Sequence, residues 1–240
     1  MATPFVPLKR LPPQNKKELY KDIAAIVEHG EYLMPSRKPF EGDGAPGDYI
    51  EALLGINAGN KDIPDAVGFE VKFYTPRTSL ISLFNKEPRP AGTVAYMVRK
   101  FGLTDKQGRK SFRHTIKGRS DRFKVDADES QITVRRLKGN GVVPYWTRDD
   151  ILSAAGAKLR RLVLVRGVRK GQMVTYNRAD CYEDLQLEFF LFEMVNGTIA
   201  IDFDAREMKP GSKGMRNHGT SFRVAPNNVC RLYAKKERVC

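Results

Sequence analysis

Residues 64–74 read PDAVGFEVKFY, and their alternation decides the fold. Val67, Phe69, Val71 and Phe73 take turns with Gly68, Glu70, Lys72 and Tyr74, a period of two that predicts a strand with one buried face. Glu70 and Lys72 leave that strand together on the other face. Asp65, at the head of the run, can bring a second carboxylate to the same point. Two hard oxygen ligands at one place suit Mg²⁺, which takes one or two carboxylates and completes its shell with water and substrate phosphate oxygens. A lysine beside them can orient or help deprotonate an attacking water, or steady charge in the transition state. Hydrolysis of a phosphodiester needs this equipment.

The order Pro-Asp, then Glu-x-Lys, fits the PD-(D/E)xK nuclease pattern. Spacing alone leaves a plainer reading open, because exposed strands alternate Glu and Lys for cross-strand pairing. Composition favours the nuclease. The 240 residues carry 42 Lys and Arg against 28 Asp and Glu, a formal charge of +14. Such a surplus points to a polyanion held through phosphate contacts. The basic residues are spread along the chain with aromatics between them and are not gathered on one amphipathic helix, so nucleic acid is expected before a membrane surface. No apolar run reaches bilayer length, and MATPFVPLKRLPPQNKK lacks the continuous apolar core of a secretory signal. Cys181, Cys230 and Cys240 are odd in number and form no CxxC pair, which fits a reduced, cytoplasmic compartment. The GDG and GSKG stretches lack the strand–loop–helix setting of a phosphate loop, so no nucleotide cofactor is expected.

Outward from the central run, the chain mixes helices and strands without strict βαβ alternation. The class is α/β (α+β), with a mixed central sheet flanked by helices. The first dozen residues are Pro-rich and expected to form a loose arm. Asn15 and Glu18 form a capping box for a helix whose apolar face is Leu19, Ile23, Ile26 and Val27, and Gly30 ends it. A second helix is expected over 47–56, followed by a polar turn, NAGNKDIP. A short strand at 79–84 and a helix at 93–101 come next. Residues 109–145 are basic and strand-like, Thr147 with Asp150 caps a further helix, and 158–168 form a buried strand. A helix at 184–195, a strand at TIAIDF, a glycine-rich basic loop at 209–220, a strand at SFRVA and a terminal helix over 226–237 complete the reading. Trp146 is expected in the core. His29 suits a helix C-terminus, and His114 lies in a basic strand.

The run GDGAPGDYIEALLGI…PDAVGFEVKFY, followed by SLISLFNKEP, resembles the MvaI/BcnI family of Type II restriction endonucleases and, more distantly, the mismatch-repair nicking enzyme MutH. The likeness continues in order through FRHTIKGR, KLRRLVLV and SKGMRNHGTSFRV…RLY. It implies a monomeric, Mg²⁺-dependent endonuclease (Mn²⁺ able to substitute) with a PD-(D/E)xK core, a catalytic lobe mainly in 1–110 and a DNA-recognition lobe mainly in 111–240, some of whose segments return to the core. The double-stranded DNA would be gripped between the lobes, cut at a short GC-rich, CCNGG-like site and nicked one strand at a time. A prokaryotic cytoplasm and a cognate DNA methyltransferase in the host are implied too. Asp65 and Glu70 match the metal-binding acids and Lys72 the catalytic lysine. Glu51, which periodicity alone places at a solvated helix edge, matches the acid on the preceding helix.

The loop GSKGMRNHGTSFR concentrates Lys213, Arg216, Asn217, His218 and Arg223 between glycines, residue types suited to reading base edges. Asn85 stands where a relative has a histidine that reads the centre of its site. Lys117 and Arg119, and the Arg135-Arg136 pair, suit phosphates. Two other readings stay open: a repair-type nicking or structure-selective endonuclease, and a catalytically silent DNA-binding module.

Overall fold

The computed structural model describes residues 11–56 and 64–240; most of the expected arm and of the NAGNKDIP turn lie outside them. The chain forms two compact units. The first takes the described residues up to Ile81, with Gly156–Leu185 and Val229–Cys240; the second takes Ser82–Ala155 and Gln186–Asn228.

In the first unit, helix α1 (Lys16–His29) begins where Asn15 accepts a hydrogen bond from the Glu18 amide at 2.9 Å. The Glu18 carboxylate in turn accepts from the Gln14 amide and the Asn15 side chain. Half of the expected capping box is present, since Glu18 reaches the Gln14 amide and the Asn15 side chain in place of the Asn15 amide, and Gly30 with φ 83° closes the far end. Strand β1 (Glu31–Leu33) and helix α2 (Ala45–Leu53) follow, and α2 starts two residues before the expected position, with Pro46 in its first turn. The catalytic candidate strand, β2 (Glu70–Tyr74), pairs in parallel with β9 (Arg161–Lys170). The long β10 (Met173–Leu185) is the spine of this sheet. It runs antiparallel to β9 along one side, while β1 and β13 (Tyr233–Arg238) share its other side. Leu19 and Ile23 of α1, Tyr49 and Ile50 of α2, Val71 of β2, and Val163 and Val165 of β9 lie in one core. Gly167 makes room for the back of β2: a Cβ there would fall 2.7 Å from the Phe73 ring and 2.2 Å from the Thr175 carbonyl oxygen. Phe73 instead meets Tyr176 edge-on, centroids 5.6 Å apart.

In the second unit, β3 (Ile81–Asn85), β12 (Met215–Val224), β11 (Ile199–Glu207), β5 (Lys110–Ile116) and β4 (Leu103–Thr104) lie side by side in that order. A smaller sheet holds β6 (Phe123–Ala127), β7 (Gln131–Arg136) and β8 (Tyr145–Thr147). Helices α3 (Thr93–Phe101), α4 (Arg148–Leu159) and α5 (Leu187–Val195) complete it, except that the last turn of α4 belongs to the first unit. The core is aromatic: Phe84 stacks on Phe222 at 4.8 Å, and Trp146 meets Phe222 edge-on at 5.4 Å. Trp146 is fully buried and its indole N–H donates to the Lys86 carbonyl at 2.9 Å, in line with the expected core role. Thr147 and Asp150 exchange the two bonds that cap α4.

The α+β class stands, with the strands distributed over three sheets. Several elements differ from the sequence reading. Residues 64–69 are a tight turn, not strand: Ala66 and Phe69 exchange backbone hydrogen bonds, and Val67 and Gly68 sit at φ 51° and 77°. The apolar alternation of Val67 and Phe69 imitates a strand, while Gly68 supplies the backbone freedom of the turn. The expected loop over 209–220 ends at 214, and Met215 onward is strand. Arg216, Asn217 and His218 are exposed there, so no buried face marks them. The expected terminal helix is a short 3₁₀ segment, Pro226–Leu232, followed by the charged edge strand β13. Strand β10 went unread because Arg178, Asp180, Glu183 and Asp184 interrupt its apolar pattern.

Candidate active site

The turn at 64–69 brings Asp65 back over the start of β2, where one carboxylate oxygen accepts the Val71 amide at 2.7 Å. That bond fixes the side chain and leaves its other oxygen outside it. Glu70 is fully buried at the head of β2. Its Oε1 is reached by the ammonium of Lys72 and, at 3.4 Å, by that of Lys158 on the last turn of α4. Both Glu70 oxygens are buried, and the ammonium groups of Lys72 and Lys158 are the charged partners that reach this carboxylate. Burial is the main cause raising its pKa; Lys72 opposes it, and Asp65 adds to it.

Glu51 completes the group. It is half-buried on α2, and burial pushes its pKa up to about 7, aided by the charges of Asp65, Asp48 and Glu70 and opposed by Lys72. Lys72 touches Glu70, Asp65 is anchored on the next residue of the same strand, and the charges of Asp65 and Lys72 act on both Glu51 and Glu70. Lys158 is the member that the sequence reading missed. In KLRRLVLV it reads as a basic residue ahead of a strand, and only the pairing of β9 with β2 reveals its neighbour.

A model of the MvaI/BcnI restriction endonuclease family matches residues 23–233. The chain belongs to that family. Two solved structures share its fold. The complex of restriction endonuclease MvaI with its cognate DNA substrate has a TM-score of 0.78 and 24% identity, covering 93% of this chain and 98% of the other. MvaI in the absence of DNA has a TM-score of 0.57 and 23% identity, covering 96% and 100%. A search of curated proteins finds no significant match.

Restriction endonucleases generally use divalent metal ions, and this MvaI/BcnI member has donors suited to one. Among the described residues, no group of three or more His, Cys, Asp or Glu is placed to enclose an ion. A closed cage is not required of Mg²⁺, which keeps several waters. The buried Glu70 carboxylate and the Asp65 oxygen not used by Val71 form a hard, anionic donor pair of the right kind.

The residues that this family member is expected to turn toward DNA lie in the second unit. Lys117 and Arg119 are exposed on the turn after β5. That turn is pressed so closely on the α5–β11 connection that a Cβ on Gly118 would sit 2.4 Å from the Val195 carbonyl oxygen. Arg135 and Arg136 end β7. Lys213, Arg216 and His218 are exposed at the start of β12 and in the turn before it. Asn85, at the end of β3, lies against Gly219. Arg223 is differently placed. Its guanidinium donates to Asp202 at 2.9 Å, an ion pair across the β11–β12 ladder. His114 is half-buried and its pKa lowered, by burial first and then by Arg122. His29 stacks on Tyr32 at 4.4 Å.

Proposed function

We propose that this chain is a Mg²⁺-dependent Type II restriction endonuclease that cleaves double-stranded DNA at a short GC-rich, CCNGG-like site, acting as a monomer that nicks the two strands in turn. The observation carrying this reading is a buried Glu70 carboxylate in contact with the Lys72 ammonium, with Asp65 anchored over the start of the same strand and Glu51 within reach of their charges. In this reading the first unit is the catalytic lobe and the second the recognition lobe, the setting is a prokaryotic cytoplasm, and a cognate methyltransferase protects the host. Mn²⁺ is expected to replace Mg²⁺.

Asp65 and Glu70 would hold the ion, which supplies charge neutralisation and lowers the pKa of a bound water. Lys72, held against Glu70, directs its ammonium at the attacking water or the developing phosphorane charge. Lys158 shares Glu70 and, after Lys72, opposes the rise in its pKa that burial causes. Glu51, with its pKa near 7, is suited to take up a proton at neutral pH. Lys117, Arg119, Arg135 and Arg136 neutralise phosphates. Asn85, Lys213, Arg216, Asn217, His218 and Arg223 are the candidates for reading bases, with Arg223 the weakest because Asp202 engages it.

Plasmid digestion with Mg²⁺, followed by end-sequencing, tests the proposal. Discrete double-strand products with one shared end sequence are expected, preceded by nicked circles. Products that stay nicked would favour a repair-type enzyme, and an intact plasmid beside a folded protein would leave only a binding module.

A further inference from the structure

One carboxylate stands out in the second unit. Glu87, exposed just beyond β3, has both oxygens committed to β12. Its Oε1 accepts the Thr220 backbone amide at 2.9 Å, and its Oε2 accepts the Asn217 side-chain amide, also at 2.9 Å. Asn217 is thereby used at both ends, because its Oδ1 accepts the Gly219 amide at 2.9 Å. The ladder explains why these bonds are needed. Phe203 pairs with Thr220 and Ala205 with Asn217, so His218 and Gly219 together stand opposite Asp204. Two residues against one is a β-bulge, which leaves backbone groups unpaired and re-aims a side chain. Gly219 takes φ 93° to make it, and a Cβ there would come 3.4 Å from the Asn85 side-chain nitrogen. The Thr220 amide, at a buried residue, must find an acceptor, and Glu87 provides it.

A carboxylate on a surface meant for DNA repels phosphate and needs a reason to be there. We propose that Glu87 is a specificity-positioning residue. By clamping Asn217 and Thr220 it locks the 218–219 bulge against Asn85 and so fixes the direction in which His218 is presented to the base edges. This moves Asn217 from the base-reading candidates to the clamp, because Glu87 and the Gly219 amide engage both ends of its side chain. This inference rests on the reading of the 213–223 segment as base-reading.

The test uses the full chain and its variants Glu87→Ala, Glu87→Gln, Asn217→Ala and the Ala double variant. The site is first defined by end-sequencing of the parent's products, and then oligonucleotides with each base pair replaced are cleaved in turn. Glu87→Ala should lower the kcat/KM ratio of cognate over altered sites by about tenfold at one or two positions, and raise hydrogen exchange of the 216–220 amides in the free protein. Asn217→Ala should reproduce the loss of discrimination, and the double variant should be no worse than either single one, since the two act as one unit. Glu87→Gln, which keeps one acceptor, should fall between. Unchanged exchange in Glu87→Ala, or raised exchange with discrimination intact, overturns the proposal. Loss in Glu87→Ala but not in Asn217→Ala would mean direct base contact by Glu87 and overturns it too. Should Glu87→Ala not fold, Glu87→Gln and Asn217→Ala carry the same comparison. A parent that cleaves with no sequence preference would defeat the underlying recognition reading, an outcome seen without any variant.

Discussion

Glu70 bears the hardest electrostatic demand in the site, as a buried carboxylate shared by two ammonium groups. Removing either ammonium therefore acts on both charge balance and chemistry. Lys72→Ala is expected to lower kcat by about 100-fold or more while DNA binding in Ca²⁺ persists, measured by single-turnover cleavage beside a binding titration. Equal loss of binding would mean that Lys72 serves the fold and not the chemistry. Glu51 gives a pH signature. Its folded pKa of about 7 lies above its ordinary value of 4.5, so the folded state binds the proton more tightly. The sign follows: this group's contribution to stability is full below about pH 4.5 and is lost as pH rises through about 7. His114, whose pKa is lowered, acts in the opposite direction around its ordinary range, so the effect is read as a difference. Thermal melts of the metal-free parent should lose ground to Glu51→Gln as pH rises across that window, and parallel curves would contradict the assignment. Glu70 and Lys72 are legible in the sequence because residues two apart on a strand leave it on the same face, whereas Asp65 joins them through the turn at 64–69 that carries it back over Val71. Glu51 is not legible, since helix periodicity cannot show which strand turns toward it, and Lys158 is hidden for the same reason.

At the scale of elements, legibility follows local chemistry. Helix α1 declares itself through Asn15, Glu18 and Gly30, and α3 matches its expected bounds. The turn at 64–69 is misread for a local reason, apolar alternation across Gly68, whereas β10, the first half of β12 and β13 carry charges that break any pattern and are strands because a neighbouring strand makes them so. Two glycines separate conformational need from contact. Gly118 and Gly171 have similar φ values, 66° and 62°, but only Gly118 faces backbone, whereas a Cβ on Gly171 would meet nothing within 4 Å. Substituting Ala at Gly171 should cost only the backbone strain, about 1 kcal/mol, and at Gly118 clearly more, because the β5 turn must leave Val195. Chemical denaturation of the two variants measures the difference, and equal losses would mean that the close approach is easily relaxed.

For the whole molecule, the charge of +14 predicts a steep fall of DNA affinity with salt, since each neutralised phosphate releases counterions. A plot of log affinity against log salt, measured in Ca²⁺ to prevent cleavage, should have a slope of several units, and a flat line would assign the positive charge to another purpose. The pairing of β2 with β9 has a consequence for how such an enzyme comes into being. Glu70 is laid down beside Leu162, and the spine strand and β13 are encoded later still. A nascent chain leaving the ribosome thus carries its acids and lysine long before the scaffold that aligns them exists. A product terminated before residue 161 would carry Glu70 and Lys72 without the strand that β2 pairs with, and is expected to leave plasmid DNA intact in the same digestion.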